Sequence, residues 1–396
     1  MFDAKLPHLE KILDPELVLH KFNNAFGSKF FKKNMFPESC TIERIQHKKG
    51  KRCRVLYRLR MSNGNGINSD QWFYGKLVKP GQAANQFRLA LASEYLANGE
   101  WPAVSHWEDW DFILWAFPND PDMPGLRIAA DPDYVRSVLN ENIHKFGYDL
   151  DWRCENIIVD RVKYMPGKRC VLRMNAELSK GSSERRKLTF FSKTYPDRNS
   201  LMHYRILNEI HQQFDDIINI PRPILYLDEA KSFWQENWPG RPLIDMLQYA
   251  NWDALFRHLG ELVAQFHTKN VQGLSRKADF ITVINDAHED AKMMGWLLPE
   301  LRLRMDRILE TLIETQDSLQ THYIPTVPIH GALRLEQFIA RNNDVALLDL
   351  TLCQQAILCL MPQNSLLHCN IWNSLTAFRA RKLHALWNVL ERVISN

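Results

Sequence analysis

Two basic segments recur at a fixed spacing in this chain. Gly50-Lys51-Arg52-Cys53 returns as Gly167-Lys168-Arg169-Cys170, and Phe73-Tyr74-Gly75-Lys76 returns as Phe190-Phe191-Ser192-Lys193, both 117 residues later. Lysine and arginine in a glycine turn, as in His47-Lys48-Lys49-Gly50-Lys51-Arg52, suit the holding of phosphate or a nucleic-acid backbone, although a basic hairpin turn has the same composition. A third group lies further along: Ile329-His330-Gly331-Ala332-Leu333-Arg334-Leu335-Glu336-Gln337-Phe338-Ile339, then Val345-Ala346-Leu347-Leu348-Asp349-Leu350. An acid bounded by such an apolar run belongs at a strand end. An aspartate there can simply cap a turn.

The repeat supplies the elements that must position these groups. In each copy an alternating run precedes the glycine (Ile42 and Ile45; Ile158 and Val162), and a strand-like run follows it (Val55-Leu56-Tyr57; Val171-Leu172-Arg173-Met174). Each copy reads as strand, basic glycine turn, strand, loop and a third strand carrying the lysine. Two motifs held at one offset point to duplication rather than chance. After Lys193, Asp197, Asn199 and Ser200 are capping types ahead of a helical stripe at Leu201, Tyr204, Leu207, Ile210 and Phe214, with Glu209 off the stripe. A similar helix is expected over 82–96. Each copy then passes through a strand into a proline-containing turn, at 112–118 and 233–240. The first copy runs straight into the second and leaves no room for a large lobe. The second is followed by helical patterns, among them 252–267 and 299–322, and an amphipathic helix is expected over 364–396.

Composition narrows the classes. With 45% apolar and 24% charged residues the chain can bury a substantial core, and its 396 residues allow two or three domains. A formal charge of +4 is too mild to call for a nucleic-acid partner. No stretch of eighteen apolar residues occurs, and Asp3, Lys5 and Glu10 stand in the opening segment, so the expectation is a soluble cytoplasmic protein with no membrane span. The seven cysteines are widely spread without a C-x-x-C pair, which suits a reducing compartment; Cys359, His368 and Cys369 match no zinc spacing. His267 and His330 read as buried structural histidines. Arg379, Arg381 and Lys382 read as a solvated face.

The segment 329–350 resembles the aminoglycoside phosphotransferase and choline kinase superfamily of protein-kinase-like enzymes. In that family the first part usually reads His-Gly-Asp-Leu-His-x-x-Asn or Gln, and the second reads Ile-Asp-Phe followed by an acid. The likeness extends in one register over about 150–350. It takes in Gln235-Glu236-Asn237-Trp238-Pro239-Gly240-Arg241-Pro242-Leu243, which looks like the family's connection between lobes. It also takes in Leu262-Val263-Ala264-Gln265-Phe266-His267, similar to the family's Leu-Ala-x-Leu-His helix end. The resemblance implies an α+β, protein-kinase-like two-lobed fold, with an antiparallel-sheet small lobe and a mainly helical large lobe, preceded by a duplicated small-lobe-like module. The implied domains are an N-terminal helical segment (1–35), a small-lobe-like repeat (36–130), a kinase-like small lobe and hinge (131–238) and a helical large lobe (239–396).

The same resemblance assigns roles. Lys193 with Glu209 would support the phosphates of ATP, Glu229 being another acid the spacing allows. Gln235, Glu236 and Asn237 would line the hinge, where backbone groups hold the adenine. Gln337 and Asp349 match the two metal-binding positions, for Mg. Lys76, with no metal-binding lobe behind it, is left without such a role. Phosphoryl transfer in this class depends on positioning and charge neutralisation. Ala332, however, stands where the family carries the aspartate that accepts the substrate proton, and a methyl group accepts nothing. Arg334 replaces a usual histidine, and Thr351 stands where a second acid is common. The expectation is therefore a degenerate phosphotransferase that binds nucleotide and works as a pseudokinase-like regulator or scaffold, with the duplicated lobe offering a protein-partner surface. The alternative is an active small-molecule kinase with Glu336 as a relocated base. A nucleic-acid module using the basic hairpins would instead show steeply salt-dependent binding.

Overall fold

The computed structural model describes residues 3–31, 36–63, 68–93, 101–196, 199–214, 217–246, 252–274, 277–278, 280–319, 326–342 and 344–357. The helix expected over 364–396, and with it Cys359, His368, Cys369, Arg379, Arg381 and Lys382, lies outside these residues. The chain divides into two compact units, Met1–Tyr204 with Pro223–Asn237, and Arg205–Arg222 with Trp238–Asn396.

In chain order the first unit contains α1 (Leu9–Ile12), α2 (Pro15–Phe31), β1 (Phe36–Lys48), β2 (Arg52–Ser62), β3 (Asn68–Leu77), α3 (Ala83–Leu91), β4 (Val104–Trp107) and β5 (Phe112–Ala116). There follow α4 (Leu126–Ala129), α5 (Pro132–Glu141), β6 (Arg153–Met165), β7 (Arg169–Lys180), β8 (Glu184–Thr194), α6 (Ser200–Phe214, which passes into the second unit after Tyr204), β9 (Pro223–Leu227) and β10 (Ser232–Glu236). The strands form two antiparallel five-stranded sheets of matching order, β1-β2-β3-β5-β4 and β6-β7-β8-β10-β9.

The 117-residue spacing reaches further than the two motifs that first show it. α1, α2, α3, β1 and β2 start 117 residues before α4, α5, α6, β6 and β7 respectively. The helix starts have one chemistry. Asp14 accepts from the N–H groups of Glu16 and Leu17, Asp131 accepts from that of Asp133, and Pro15 and Pro132 stand at the first helical position. The apolar stripes also coincide: Leu6 with Met123, Leu9 with Leu126, Val18 with Val135 and Phe22 with Leu139 are all fully buried. Residues 1–35, read from sequence as a separate helical segment, thus stand 117 residues ahead of another helix pair of the same kind.

Period-two alternation sets apolar side chains on both faces of the first sheet. One face of the first sheet (Tyr57, Phe73, Leu77, Phe112) packs against Phe22 and Ile12 of the first helix pair, and the Tyr57 hydroxyl donates to the Ile12 carbonyl at 2.6 Å. Its other face (Leu56, Tyr74, Ile113, Trp115) joins Leu172, Met174, Phe190 and Trp234 of the second sheet in enclosing Leu126, Val135 and Leu139 of α4 and α5. Each such side chain contributes about 1.5–3 kcal/mol on burial. Gly125 permits the close approach between layers, since a Cβ there would fall 2.4 Å from the carbonyl oxygen of Ala230.

The second unit contains β11 (Arg241–Pro242), α7 (Leu243–Met246), α8 (Trp252–Phe266), β12 (Lys277–Ala278), α9 (Phe280–Leu297), α10 (Arg302–Leu319), β13 (Thr326–Ile329), β14 (Phe338–Arg341), β15 (Asp344–Leu347) and β16 (Gln354–Ile357). Its strands form two three-stranded sheets, β11-β14-β15 and β12-β16-β13. The helix expected over 299–322 begins as a short 3-10 turn at Pro299–Leu301, because proline donates no N–H and suits a first turn, and continues as α10. No helix among the described residues is long and apolar enough to cross a membrane.

Candidate nucleotide and metal site

In the first unit, Lys193 lies near the end of β8, directly opposite Val171 on β7 and Phe233 on β10. It is half-buried. Phe191 and Gln235 share its face by alternation, and Tyr204, in the first turns of α6, packs against Phe233 at 6.0 Å. Of the hinge residues, Gln235 is buried, Glu236 half-buried and Asn237 exposed.

The glycine turn before β7 is held by a carboxylate. Asp120 accepts at one oxygen from the N–H of Gly167 (2.8 Å) and the hydroxyl of Tyr164 (2.8 Å), and at the other from the N–H of Asp122 (2.8 Å). The turn before β2 repeats this with Asp3, which takes the N–H of Gly50 (2.7 Å), His47 Nε2 (2.9 Å) and the N–H of Lys5 (3.0 Å). Gly50 and Gly167 have φ of +65° and +66°, the left-handed region glycine adopts without strain. Burial pushes Asp120 above the ordinary carboxylate range despite its three donors. At Asp3 burial also acts upward, but the bonds from Gly50, His47 and Lys5 outweigh it and the net shift is downward. Sequence reading missed this pair; the available signal was an aspartate 47 residues ahead of each turn glycine.

In the second unit the loop 330–337 is tied to the strand that precedes Asp349. His330 is buried and its Nε2–H donates to the carbonyl of Leu348 at 2.7 Å. The N–H of Leu348 donates to the carbonyl of Gln337 at 2.7 Å, and the N–H of Gln337 to that of Arg334 at 3.0 Å. With Phe338 paired to Leu347 across the β14–β15 hairpin, these bonds bring the backbones at Gln337 and Asp349 together. Asp349 takes a left-handed conformation (φ 61°, ψ 38°) just beyond β15, and Thr351 Oγ1 donates to its Oδ1 at 3.3 Å. Gly331 is also left-handed, and a Cβ there would meet the carbonyl oxygen of Leu352 at 2.2 Å. Ala332 is half-buried beside it, whereas Arg334 and Glu336 are exposed. Among the described residues Glu336 has no hydrogen bond or ion pair. A carboxylate and an amide carbonyl are hard oxygen donors of the kind Mg takes from a protein, so Asp349 and Gln337 fit that ion chemically. Glu209, on α6, accepts from Gln213 Nε2 at 2.5 Å and belongs to the second unit, Lys193 to the first.

Burial shifts two kinds of side chain, thiols and an imidazole. Burial pushes the Cys53 and Cys353 thiols up to about 12, which leaves them protonated and unreactive. Burial pushes His267 down to about 4, and its Nε2 is buried with no hydrogen-bond partner among the described residues. The unfolded chain takes up that proton near pH 6.5 and the native state only near 4, so stability is expected to fall as pH drops through that window and to level off below it. Chemical unfolding midpoints at pH 7, 5.5 and 4 should show the decline in the wild type, and His267→Gln should flatten it.

The arrangement is a mixed α+β fold: antiparallel five-stranded sheets, the second with a lysine-bearing third strand and a following helix, leading in sequence to a mainly helical unit with an oxygen-donor loop. No known protein family and no curated protein matches the chain. Among solved structures it is similar to a choline/ethanolamine kinase family protein from Mesorhizobium loti, with 10% identity over 50% of this chain and 60% of that one and a TM-score of 0.33. It is also similar to a choline kinase from Streptococcus pneumoniae (12% identity, 63% and 81% covered, TM-score 0.38) and to aminoglycoside 2'-phosphotransferase-IIIa in its GDP complex (15% identity, 56% and 74% covered, TM-score 0.34). The chain spans 60% of the length of the first of these.

Proposed function

We propose that this chain binds ATP with Mg and transfers phosphate poorly or not at all, working as a regulator or scaffold. Lys193 and Glu209 would support the phosphates, Gln235, Glu236 and Asn237 would receive the adenine, and Gln337 with Asp349 would hold the metal. Bound Mg would neutralise phosphate charge and polarise the terminal phosphoryl group. The observation that carries the reading is the loop 330–337. Its hydrogen bonds through Leu348 hold the backbones at Gln337 and Asp349 close, while position 332 offers a methyl group in place of a proton acceptor. No feature of Glu336 favours it as a substitute base. The repeat unit is proposed to run from Asp3 to Ala116 and from Asp120 to Glu236, each a helix pair followed by a sheet, rather than over 36–130 and 131–238. The first copy would then be the surface offered to a protein partner.

Thermal unfolding with and without ATP and Mg tests nucleotide binding. A ligand at 100 times its dissociation constant stabilises by about 2.7 kcal/mol. A clear rise in Tm is expected for the wild type, and its Mg-dependent part is expected to vanish in Lys193→Ala and Asp349→Ala. An unchanged wild-type Tm at millimolar nucleotide would leave the reading without support.

A further inference from the structure

The first sheet carries a cation cluster that the nucleotide reading does not use. Arg54 on β2 stands directly opposite Lys76 on β3, a register that places Cβ atoms about 4.5–5.5 Å apart and is unfavourable for like charges. Arg52, two residues along, lies on the same face by alternation, and both arginines act electrostatically on Lys76. Lys76 is half-buried, and among the described residues neither its side chain nor that of Arg52 makes a hydrogen bond or an ion pair. The Arg54 side chain is only 14% exposed, and its Nε is buried with no hydrogen-bond partner among the described residues. Among the described residues one carboxylate faces the group: Asp122 Oδ2 lies 2.7 Å from Arg54 Nη2 and 3.5 Å from the Tyr74 hydroxyl. Asp120 lies deeper, already occupied by Gly167, Asp122 and Tyr164. Burial is what lowers the Lys76 pKa, with Asp122 acting against it and Arg54 and Arg52 adding to it.

Three cations against Asp122 leave a surplus that a dianion would neutralise. Arginine's planar fork and lysine's point charge together suit a phosphate group. The cluster is too enclosed for a nucleic-acid backbone, since Arg54 is largely covered and its Nη1 lies 3.2 Å from where a Cβ on Gly167 would stand. The neighbouring turn adds exposed Lys48 and Lys51, which extend the positive surface outward from Arg52. We propose that Arg52, Arg54 and Lys76 form a second anion site in the first sheet, taking the end of a short phosphate chain, separate from the nucleotide site assigned to Lys193.

Titration calorimetry of the full chain with tripolyphosphate, without Mg, tests this. The wild type is expected to bind it with an affinity that falls as salt rises. Arg52→Gln combined with Lys76→Gln should weaken binding at least tenfold, and the unliganded Tm of that variant should stay level or rise as the like-charge contact is relieved. Lys193→Gln should leave tripolyphosphate binding intact even though it removes the Mg-dependent part of the ATP-induced rise in Tm, so the two sites fail separately. In the Lys193→Gln background, equal affinities for ATP and tripolyphosphate would mean that the phosphate chain itself is read, and tighter ATP binding that a nucleotide is the source. Absence of tripolyphosphate uptake by the wild type at millimolar concentration, or a double variant that binds as tightly as the wild type, would overturn the proposal.

Discussion

Ala332→Asp is expected to raise ATP-dependent phosphoryl transfer by about 10²- to 10⁴-fold over the native chain, the span a positioned general base supplies. That corresponds to roughly 2.7–5.4 kcal/mol of barrier. The local structure is ready for the change. His330 anchors the loop to Leu348, Gly331 turns it in a left-handed conformation beside Leu352, and Ala332 follows with part of its surface open to solvent. A carboxylate at 332 therefore keeps some hydration and an ordinary readiness to accept a proton. ADP release across a panel of small hydroxyl compounds is the measurement, with Asp349→Ala added to the Ala332→Asp variant as the control that must abolish any gain. Glu336→Gln should leave the native rate where it is. A variant that still binds ATP yet turns over no faster than the wild type would show that the missing carboxylate is not what limits the reaction. A large loss in Glu336→Gln would instead make Glu336 the working base.

How far such elements could be read in advance depended on whether the signal was local. The strands on either side of Gly50 and Gly167 were legible because alternation and a basic glycine turn sit within a dozen residues of each other. α8 was legible for the same reason, its stripe ending at Phe266, which stacks on Phe214 at 4.4 Å. The shared 117-residue spacing of the helix pairs was hidden, because the buried positions keep their places and change their sizes. Ile12 corresponds to Ala129, Phe22 to Leu139 and Phe26 to Ile143, each fitted to a different sheet face. The turn-holding aspartates were hidden because the two ends of each contact lie 47 residues apart, and nothing near Asp3 or Asp120 marks them as more than loop residues. In the second unit the residue types at 330–337 and 345–349 were readable. The backbone bonds through Leu348 that bring Gln337 and Asp349 together depend on a hairpin register that no pattern of side chains declares.

Asp120→Ala is the substitution expected to cost the most stability. Three donors converge on this carboxylate, and alanine would leave the buried Tyr164 hydroxyl and the N–H groups of Gly167 and Asp122 without their acceptor. Each buried donor left unsatisfied costs about 1–3 kcal/mol, and water reaching the turn recovers part of that, so the net loss should be about 3 kcal/mol. For a folding unit of this size that is a fall in Tm of roughly 6–12 °C, readable by tryptophan fluorescence. Asp120→Asn should fall between the two, because one carboxylate oxygen serves Asp122 and the other serves both Gly167 and Tyr164. An amide nitrogen in either place turns a donor toward a donor. The same pair of proteins separates burial from hydrogen bonding. Burial holds the native pKa of Asp120 above its ordinary value, so between the unfolded and native pKa values the native state keeps a proton the unfolded chain has released. That part of the stability is present in acid and lost as pH rises through the native pKa. The Tm advantage of the wild type over Asp120→Asn should therefore widen as pH is lowered. A gap that narrows in acid would mean that the three donors, rather than burial, set the charge of this group.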